Sequence, residues 1–308
     1  MKIREKNGGN KMKKSALGVK HKKGKFKQSI SSALFLSPSF LGVMTFFILP
    51  FLVVIYYSVI DNPINTQFVG MDNYSALVKN DAFLLAAKNT AIFSGIAVPL
   101  AVILSLLLAV VVDANIPFKS QIRASFLCPL MVPTASVVLV FQVLFHKLGT
   151  VNQIFRAFGI SPVDWLNSPK GMIVLILIFL WKNLGYNMVL FIAGMASVPK
   201  DVMEVATIEG AGPFYKFFHI KLRYLSPTVI FVTILSIINS FKIFREVYLL
   251  TGNYPDESLY ILQHFMNNTF NLLEYQKLST AAIIMSLVMM VIIGILLLLE
   301  HIFGKDVE

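Results

Sequence analysis

The 308-residue chain is 56% hydrophobic and only 14% charged, whereas a soluble domain carries about 25% charged residues, so its composition excludes an ordinary soluble protein. The formal net charge of +11 is concentrated in residues 1–32, which hold eleven Lys or Arg residues and one acidic residue, Glu5. The rest of the chain is nearly neutral and offers no basic face to a phosphate backbone, so no nucleic-acid partner is expected.

Residues 1–32 have no periodic apolar positions, which predicts a disordered basic tail. Its positive charge favours the cytoplasmic side and contact with anionic membrane lipid. The apolar run that follows, residues 33–60, is much longer than the apolar core of about 7 to 15 residues in a secretory signal. We therefore expect this run to be retained as the first membrane span.

Five further apolar runs are long enough for a helix to cross a bilayer, which takes about 20 residues. The chain is thus predicted to be an all-α membrane protein with a transmembrane domain over 33–308. Its six spans are expected at about 33–60, 91–112, 126–145, 172–197, 228–244 and 278–303. Two polar segments between spans, NYSALVKNDAFLLAAKN and VNQIFRAFGI, space their apolar residues as short interfacial helices do.

The distribution of basic residues predicts the orientation of the spans. If the tail is cytoplasmic, the segments 113–125, 198–227 and 304–308 share its side, which then holds 18 Lys or Arg residues against 7 on the other. Such an excess marks the cytoplasmic face. Both termini and the segment 200–227, called the elbow below, are therefore expected in the cytoplasm.

The elbow contains two short helical patterns. Apolar residues recur every three positions from Val202 to Ile208, and a second apolar face begins at Phe214. Between them Gly210 permits a turn with positive φ, and Pro213 suits the first turn of the second helix. Aromatic and charged side chains on such a segment favour docking onto another protein. The alternative is a loop that packs on the inner face of its own bundle.

Polar residues interrupt the fourth and fifth spans, where a charge costs about 2.5 to 3.5 kcal/mol and usually faces a cavity or a partner. The candidates for a substrate pathway are Asn183, Tyr186, Asn239, Ser240, Lys242 and Glu246, accompanied by Lys182, Asn187, Ser236 and the weaker candidate Gln142. Ser236, Asn239, Lys242 and Glu246 recur at three or four residues and so share a helix face. Hydroxyl and amide groups beside aromatic rings are what a sugar requires.

Other interpretations of these polar residues stay open. Lys182 could reach the outer membrane surface beside Trp181, and Lys242 could form an interfacial ion pair with Glu246. Asn and Ser side chains also join helices to one another.

Cofactor chemistry has little support in this sequence. The histidines are dispersed and show no metal-ligand spacing, and the chain lacks the G-x-x-x-x-G-K-[ST] phosphate loop. We expect no metal or cofactor in this chain, which is not predicted to be an enzyme.

The elbow resembles the EAA loop of the membrane subunits of binding-protein-dependent ABC importers, whose pattern is roughly E-A-A, three residues, G, nine residues and I-x-L-P. The matching positions are Glu204, Ala206, Gly210, Ala211, Ile220, Leu222 and Pro227, whereas Val205, Glu209 and Arg223 depart from the pattern. Further stretches, including LSPSFLGVMTFFILPFLVVIYYSV, FVGMDNY, LGTVNQIF and VYLLTGNYP, are similar in the same order to the carbohydrate-uptake branch. The first of them resembles the maltose-type F half.

The resemblance implies the type I importer permease fold and uptake of a sugar or oligosaccharide across the plasma membrane of a prokaryote. It implies that the elbow, through Glu204, Ala206, Gly210, Ala211, Ile220 and Leu222, sits on one of two ATPase subunits, with Glu204 paired to a basic residue there. Those subunits would bind ATP and magnesium. A second permease and an external substrate-binding protein complete the implied assembly. Substrate contacts in the maltose-type subunit come from the two polar regions above, where Tyr186 and Ser240 align best.

A rival hypothesis is an ion-coupled secondary transporter, which would also place polar residues at the membrane midplane. Such folds often pair broken helices in two inverted halves, a pattern that this sequence does not show. A membrane enzyme is a third possibility, but it would need clustered acid, base, nucleophile or metal ligands.

Overall fold

The computed structural model describes residues 35–114 and 117–304. The predicted basic tail at 1–32 lies outside the described residues. Within the described part, six helices are long and apolar enough to cross a membrane, which confirms the predicted number. These spans are Phe35–Ser58, Asp81–Asp113, Thr134–Ala157, Gly171–Met195, Ser226–Thr251 and Tyr275–Ile302.

The described part of the chain divides into two units, one that ends at residue 57 and one that begins at residue 58. The described part of the first unit is the helix α1 (Phe35–Ser58) up to residue 57, which contains a π-helical stretch at Met44–Ile48. Pro50 follows this stretch, and its missing N–H would leave the carbonyl of Phe46 without a partner in a regular helix. Widening of a helical turn next to a proline is a usual accommodation.

The second unit is all-helical in its described part, apart from one isolated bridge between Ile60 and Phe68. Its helices are α2 (Asp72–Val78), α3 (Asp81–Asp113), α4 (Lys119–Met131), α5 (Thr134–Phe145), α6 (Thr150–Ala157), α7 (Gly171–Met195), α8 (Lys200–Ile208), α9 (Pro213–Tyr215, π-helical Lys216–Lys221 and Leu222–Tyr224), α10 (Ser226–Phe241), α11 (Phe244–Thr251), α12 (Leu262–Asn271) and α13 (Tyr275–Gly304). A 3₁₀ turn, Glu257–Leu259, precedes α12.

The core of this unit lies where α3 packs along α7. One face of α3 carries small residues at every fourth position, Ala97, Ala101, Ser105 and Ala109, all fully buried. In a bilayer the hydrophobic effect does not drive helices together, because lipid tails are as apolar as the side chains. Small residues instead allow the two backbones to approach closely and make extensive van der Waals contact. Phe93 of α3 meets Phe179 of α7 edge to face, with ring centroids 5.5 Å apart.

A second close approach joins α7 to α4 at Gly185. A Cβ atom at this position would collide with the backbone carbonyl of Phe126. Only glycine therefore fits where α7 crosses α4.

The helix boundaries differ from the predicted spans in three places. The span predicted at 126–145 is broken at Val132 and Pro133, between α4 and α5, because proline disfavours a helical conformation in the preceding residue. The second span begins at Asp81 and not near residue 91, so the segment NYSALVKNDAFLLAAKN contains a short helix, α2, followed by the start of α3. The side chain of Asn80 accepts a hydrogen bond from the Phe83 N–H at 3.0 Å where α3 begins. The fifth span is interrupted after Phe241, so α10 and α11 are separate helices.

Candidate functional site

The elbow folds as the predicted helix, turn and helix. Gly210 has φ +77°, its N–H bonds the carbonyl of Thr207 at 3.1 Å, and the N–H of Ala211 bonds the carbonyl of Ala206 at 2.9 Å. These two bonds form a Schellman motif, which ends α8 and satisfies its last carbonyls. Pro213 then opens α9, where its missing N–H has no consequence.

The elbow is anchored on one side and open on the other. Ala206 is buried, and Ile220 and Leu222 are half-buried, whereas Glu204 is exposed. Large apolar side chains nearby are also exposed, among them Val205 (53%), Ile208 (85%), Phe214 (79%) and Phe218 (57%). An apolar surface of this kind, next to exposed charges, is typical of a protein-docking site.

An ionic cluster that the sequence analysis missed connects the elbow to α3. Asp113, the last residue of α3, lies 3.7 Å from the amine of Lys119 and 3.8 Å from the amine of Lys221. Lys119 also donates to the backbone carbonyl of Asp113 at 2.9 Å. Because Lys221 belongs to α9, this cluster is a direct contact between the elbow and α3.

Polar side chains of α7 pair with those of α10 and α11 in three successive contacts, which we call the polar ladder. Asn187 donates to Ser236 at 3.0 Å, and Asn183 accepts from Asn239 at 3.0 Å. Lys182 forms an ion pair with Glu246. Four residues were predicted to share a helix face, and three of them, Ser236, Asn239 and Glu246, belong to the ladder. The fourth, Lys242, has no side-chain partner among the described residues.

Two contacts of the ladder, Asn183 with Asn239 and Lys182 with Glu246, line a cavity of about 580 Å³. Its polar lining consists of Thr134, Lys182, Asn183, Asn239, Lys242, Arg245, Glu246 and Gln263, and its apolar lining of Leu130, Phe179, Ile243 and Phe244. The residues come from α4, α5, α7, α12 and the junction of α10 with α11. Such a mixture of hydrogen-bonding groups and aromatic rings suits a polar ligand with apolar faces.

Glu246 is the most buried charge of this lining, with 6% of its surface exposed. One carboxylate oxygen accepts from Lys182, whose amine also lies 3.2 Å from the hydroxyl of Thr134. The other oxygen, Oε2, is buried without a partner. This ion pair corrects two expectations. Lys182 turns to Glu246 and does not extend to the membrane surface, and the partner of Glu246 is Lys182 and not Lys242.

Two of the predicted pathway residues lie away from this cavity lining. Ser240 is 1% exposed, and its hydroxyl lies 2.9 Å from that of Ser94 in α3, so it joins two helices. Tyr186 is half-buried on α7 and is not among the lining residues. The weaker candidate Gln142 donates to the carbonyls of Leu249 and Leu250 at 2.9 and 3.0 Å.

Three polar lining residues were not predicted: Thr134, Arg245 and Gln263. Thr134 and Gln263 come from helices remote in sequence, and nothing local marks them. Arg245 directly precedes Glu246 and could have been found as a second unpaired cation within three residues of Lys242.

His264 supports the cavity wall from behind. It is fully buried on α12, and its ring lies 4.8 Å from that of Phe244, which lines the cavity. Its Nε2 is 3.4 Å from the carbonyl oxygen of Gly252, whereas Nδ1 has no partner. Burial lowers the pKa of His264 from 6.5 to about 4, so the imidazole is neutral near pH 7.

A multi-span helical bundle with a polar cavity and an elbow that exposes apolar side chains is typical of a subunit of a membrane transport complex. Residues 97–308 match the family described as the binding-protein-dependent transport system inner membrane component. The chain belongs to this family and is therefore a multi-pass inner-membrane permease subunit of a binding-protein-dependent ABC importer. This membership excludes the ion-coupled secondary transporter.

Individual relatives agree with this assignment. The chain is 32% identical over 225 residues to the arabinooligosaccharides transport system permease protein AraP of Bacillus subtilis, covering 71% of this chain and 72% of the relative. It is 29% identical to the trehalose/maltose transport system permease protein MalF of Thermococcus litoralis, covering 92% and 97%. Its fold matches a chain of a bacterial ABC transporter involved in the import of the acidic polysaccharide alginate, with a TM-score of 0.77, 18% identity and coverage of 92% and 100%.

Proposed function

We propose that this permease subunit takes up a sugar or oligosaccharide. The observation that carries the proposal is the cavity beside the polar ladder, which gathers amide, hydroxyl and charged groups next to Phe179 and Phe244. Sugar hydroxyls need hydrogen-bond partners, and sugar CH faces pack on aromatic rings. The names of the two permease relatives refer to arabinooligosaccharides and to trehalose and maltose, which supports the same substrate class.

Within this cavity each polar group has a proposed role. Asn183 and Asn239 offer amide groups to sugar hydroxyls. Glu246, whose Oε2 is buried without a partner, would accept from a sugar hydroxyl once this oxygen is uncovered. Lys182 positions the Glu246 carboxylate through their ion pair. Tyr186 and Ser240, further along the same helices, would contact the sugar at another stage of the transport cycle.

The complete importer is proposed to contain a second permease, two ATPase subunits and an external substrate-binding protein, in a lipid bilayer. The ATPase subunits bind ATP and magnesium, since the chain described here has no phosphate loop. The excess of Lys and Arg assigns both termini and the elbow to the cytoplasm. The elbow is then on the side where ATP is available.

Coupling is proposed to proceed through the elbow. Closure of the two ATPase subunits on ATP draws the elbows together, with Glu204 paired to a basic residue of the ATPase and the neighbouring apolar side chains seated in its surface. The contact between Lys221 and Asp113 transmits the movement to α3, and the cavity changes from inward to outward access.

The test is ATP hydrolysis and sugar uptake by the complete complex in proteoliposomes, with a panel of oligosaccharides presented by the binding protein. Glu204→Gln and Glu204→Ala should lower uptake at least tenfold while the complex still assembles in the membrane. Glu274→Gln, which removes another exposed carboxylate, serves as the matched control. Unchanged uptake in both Glu204 variants would refute the coupling role.

A further inference from the structure

The charges that line the cavity do not balance. The lining contains three cations, Lys182, Lys242 and Arg245, and one anion, Glu246. Glu246 is paired with Lys182. Among the residues that the structure describes, neither the amine of Lys242 nor the guanidinium of Arg245 has an ion pair or a hydrogen bond. The cavity thus holds two cations without a counter-charge.

The interruption of the fifth span brings these two cations together. Lys242 directly follows α10, and Arg245 lies in the first turn of α11, so both enter the lining from one short junction. The junction lies within the candidate span Ser226–Thr251, and both side chains are exposed in this subunit. Charged residues within a span usually face a water-filled cavity or a partner and mark a substrate or ion pathway.

A neutral sugar does not supply the negative charge that would pair with Lys242 and Arg245. Its hydroxyls bind well to the amides of Asn183 and Asn239 and to the carboxylate of Glu246, but they bring no negative charge. A carboxylate, phosphate or sulfonate would form charge-assisted hydrogen bonds with Arg245, whose planar fork matches two oxygens of such a group, and with Lys242 as a point charge.

We propose that the substrate is an acidic sugar or oligosaccharide, whose anionic group is bound by Lys242 and Arg245 while its hydroxyls meet Glu246, Asn183 and Asn239. This inference rests on the proposed sugar uptake and narrows it to one chemical class. The competing source of negative charge is a carboxylate of the second permease, which would neutralise the two cations within the assembled complex.

The first arm of the test compares matched sugars. The complete complex, reconstituted with its binding protein, is given neutral oligosaccharides and their uronic-acid counterparts, such as galactobiose and digalacturonate. We expect an acidic member to be imported and to stimulate ATP hydrolysis at least tenfold more than its neutral match. Equal or better import of a neutral member would overturn the inference and leave sugar uptake standing. Import of neither class would overturn sugar uptake itself and the inference with it.

The second arm locates the anion. Lys242→Gln and Arg245→Gln should each lower import of the acidic sugar at least tenfold, whereas Lys242→Arg, which keeps the charge, should retain most of it. Lys88→Gln removes an exposed lysine of α3 that lies outside the cavity lining and is the matched control. Copurification of all subunits checks that each variant assembles. Retained import in both Gln variants would refute binding of the anion at this junction.

Discussion

At the residue scale, the ion pair of Lys182 with Glu246 is the contact of the cavity whose loss we expect to affect stability. Glu246 is nearly buried, and Lys182 is the only described residue that pairs with its carboxylate, so removal of Lys182 leaves this carboxylate without an ion-pair partner. We expect Lys182→Met to destabilise the complex by about 3 to 5 kcal/mol, and the double variant Lys182→Met with Glu246→Leu to recover much of that loss. The midpoint of unfolding in detergent measures both effects.

The control for this prediction is an exposed pair of the same type. Lys277 lies 3.0 Å from Glu274, and both side chains are well exposed. Lys277→Met should cost less than about 1 kcal/mol, because solvent screens surface ion pairs. Equal losses in Lys182→Met and Lys277→Met would show that Glu246 does not depend on Lys182.

His264 gives a prediction about pH. Its pKa is about 4 in the folded protein against 6.5 for an unperturbed histidine, because burial disfavours the charged imidazole. Between these values the unfolded chain binds a proton that the folded chain excludes, so stability is retained above pH 6.5 and falls as the pH approaches 4. We expect the unfolding midpoint of the wild type to fall more steeply over this window than that of His264→Gln. Parallel curves would contradict the shift.

At the scale of elements, the turn of the elbow depends on one backbone conformation. Gly210 adopts φ +77°, whereas Gly212, two residues later, has φ −70°. A Cβ at either position would meet no atom within 4 Å, so the two sites differ in backbone conformation and not in space. Gly210→Ala should therefore destabilise the turn by about 1 to 2 kcal/mol, whereas Gly212→Ala should be nearly neutral.

The measurement for this turn is the ratio of sugar imported to ATP hydrolysed, because a distorted elbow should weaken coupling before it prevents assembly. Gly210→Asn should lie between wild type and Gly210→Ala, since asparagine tolerates the left-handed region better than alanine. A coupling ratio that falls equally in Gly212→Ala would mean that the loss of a glycine, and not its positive φ, is responsible.

Some of these helices and cavity residues could be predicted from local sequence signals, and others could not. Long apolar runs and the Gly210–Pro213 turn are local signals, so the six spans and the elbow could be predicted. The break at Pro133 has a local cause that the apolar run concealed, whereas the break after Phe241 contains neither glycine nor proline. The cavity combines predicted residues such as Asn183 and Glu246 with Gln263, whose position depends on the packing of α12 and is encoded in no local pattern.

At the scale of the whole molecule, the exposed face of the elbow predicts how the complex assembles. Ile208 is 85% exposed and lies beside the turn, where, in the proposed complex, it would enter an apolar recess of an ATPase subunit. A charge there would have to be desolvated on docking. We expect Ile208→Glu to reduce the amount of ATPase subunit that copurifies with this permease at least tenfold, while the second permease still copurifies.

Ile64→Glu is the matched control, since Ile64 is 90% exposed and lies in the segment between α1 and α2, which the charge distribution assigns to the opposite side of the membrane. Full recovery of ATPase subunits with Ile208→Glu, or an equal loss with Ile64→Glu, would place the docking surface elsewhere on the molecule.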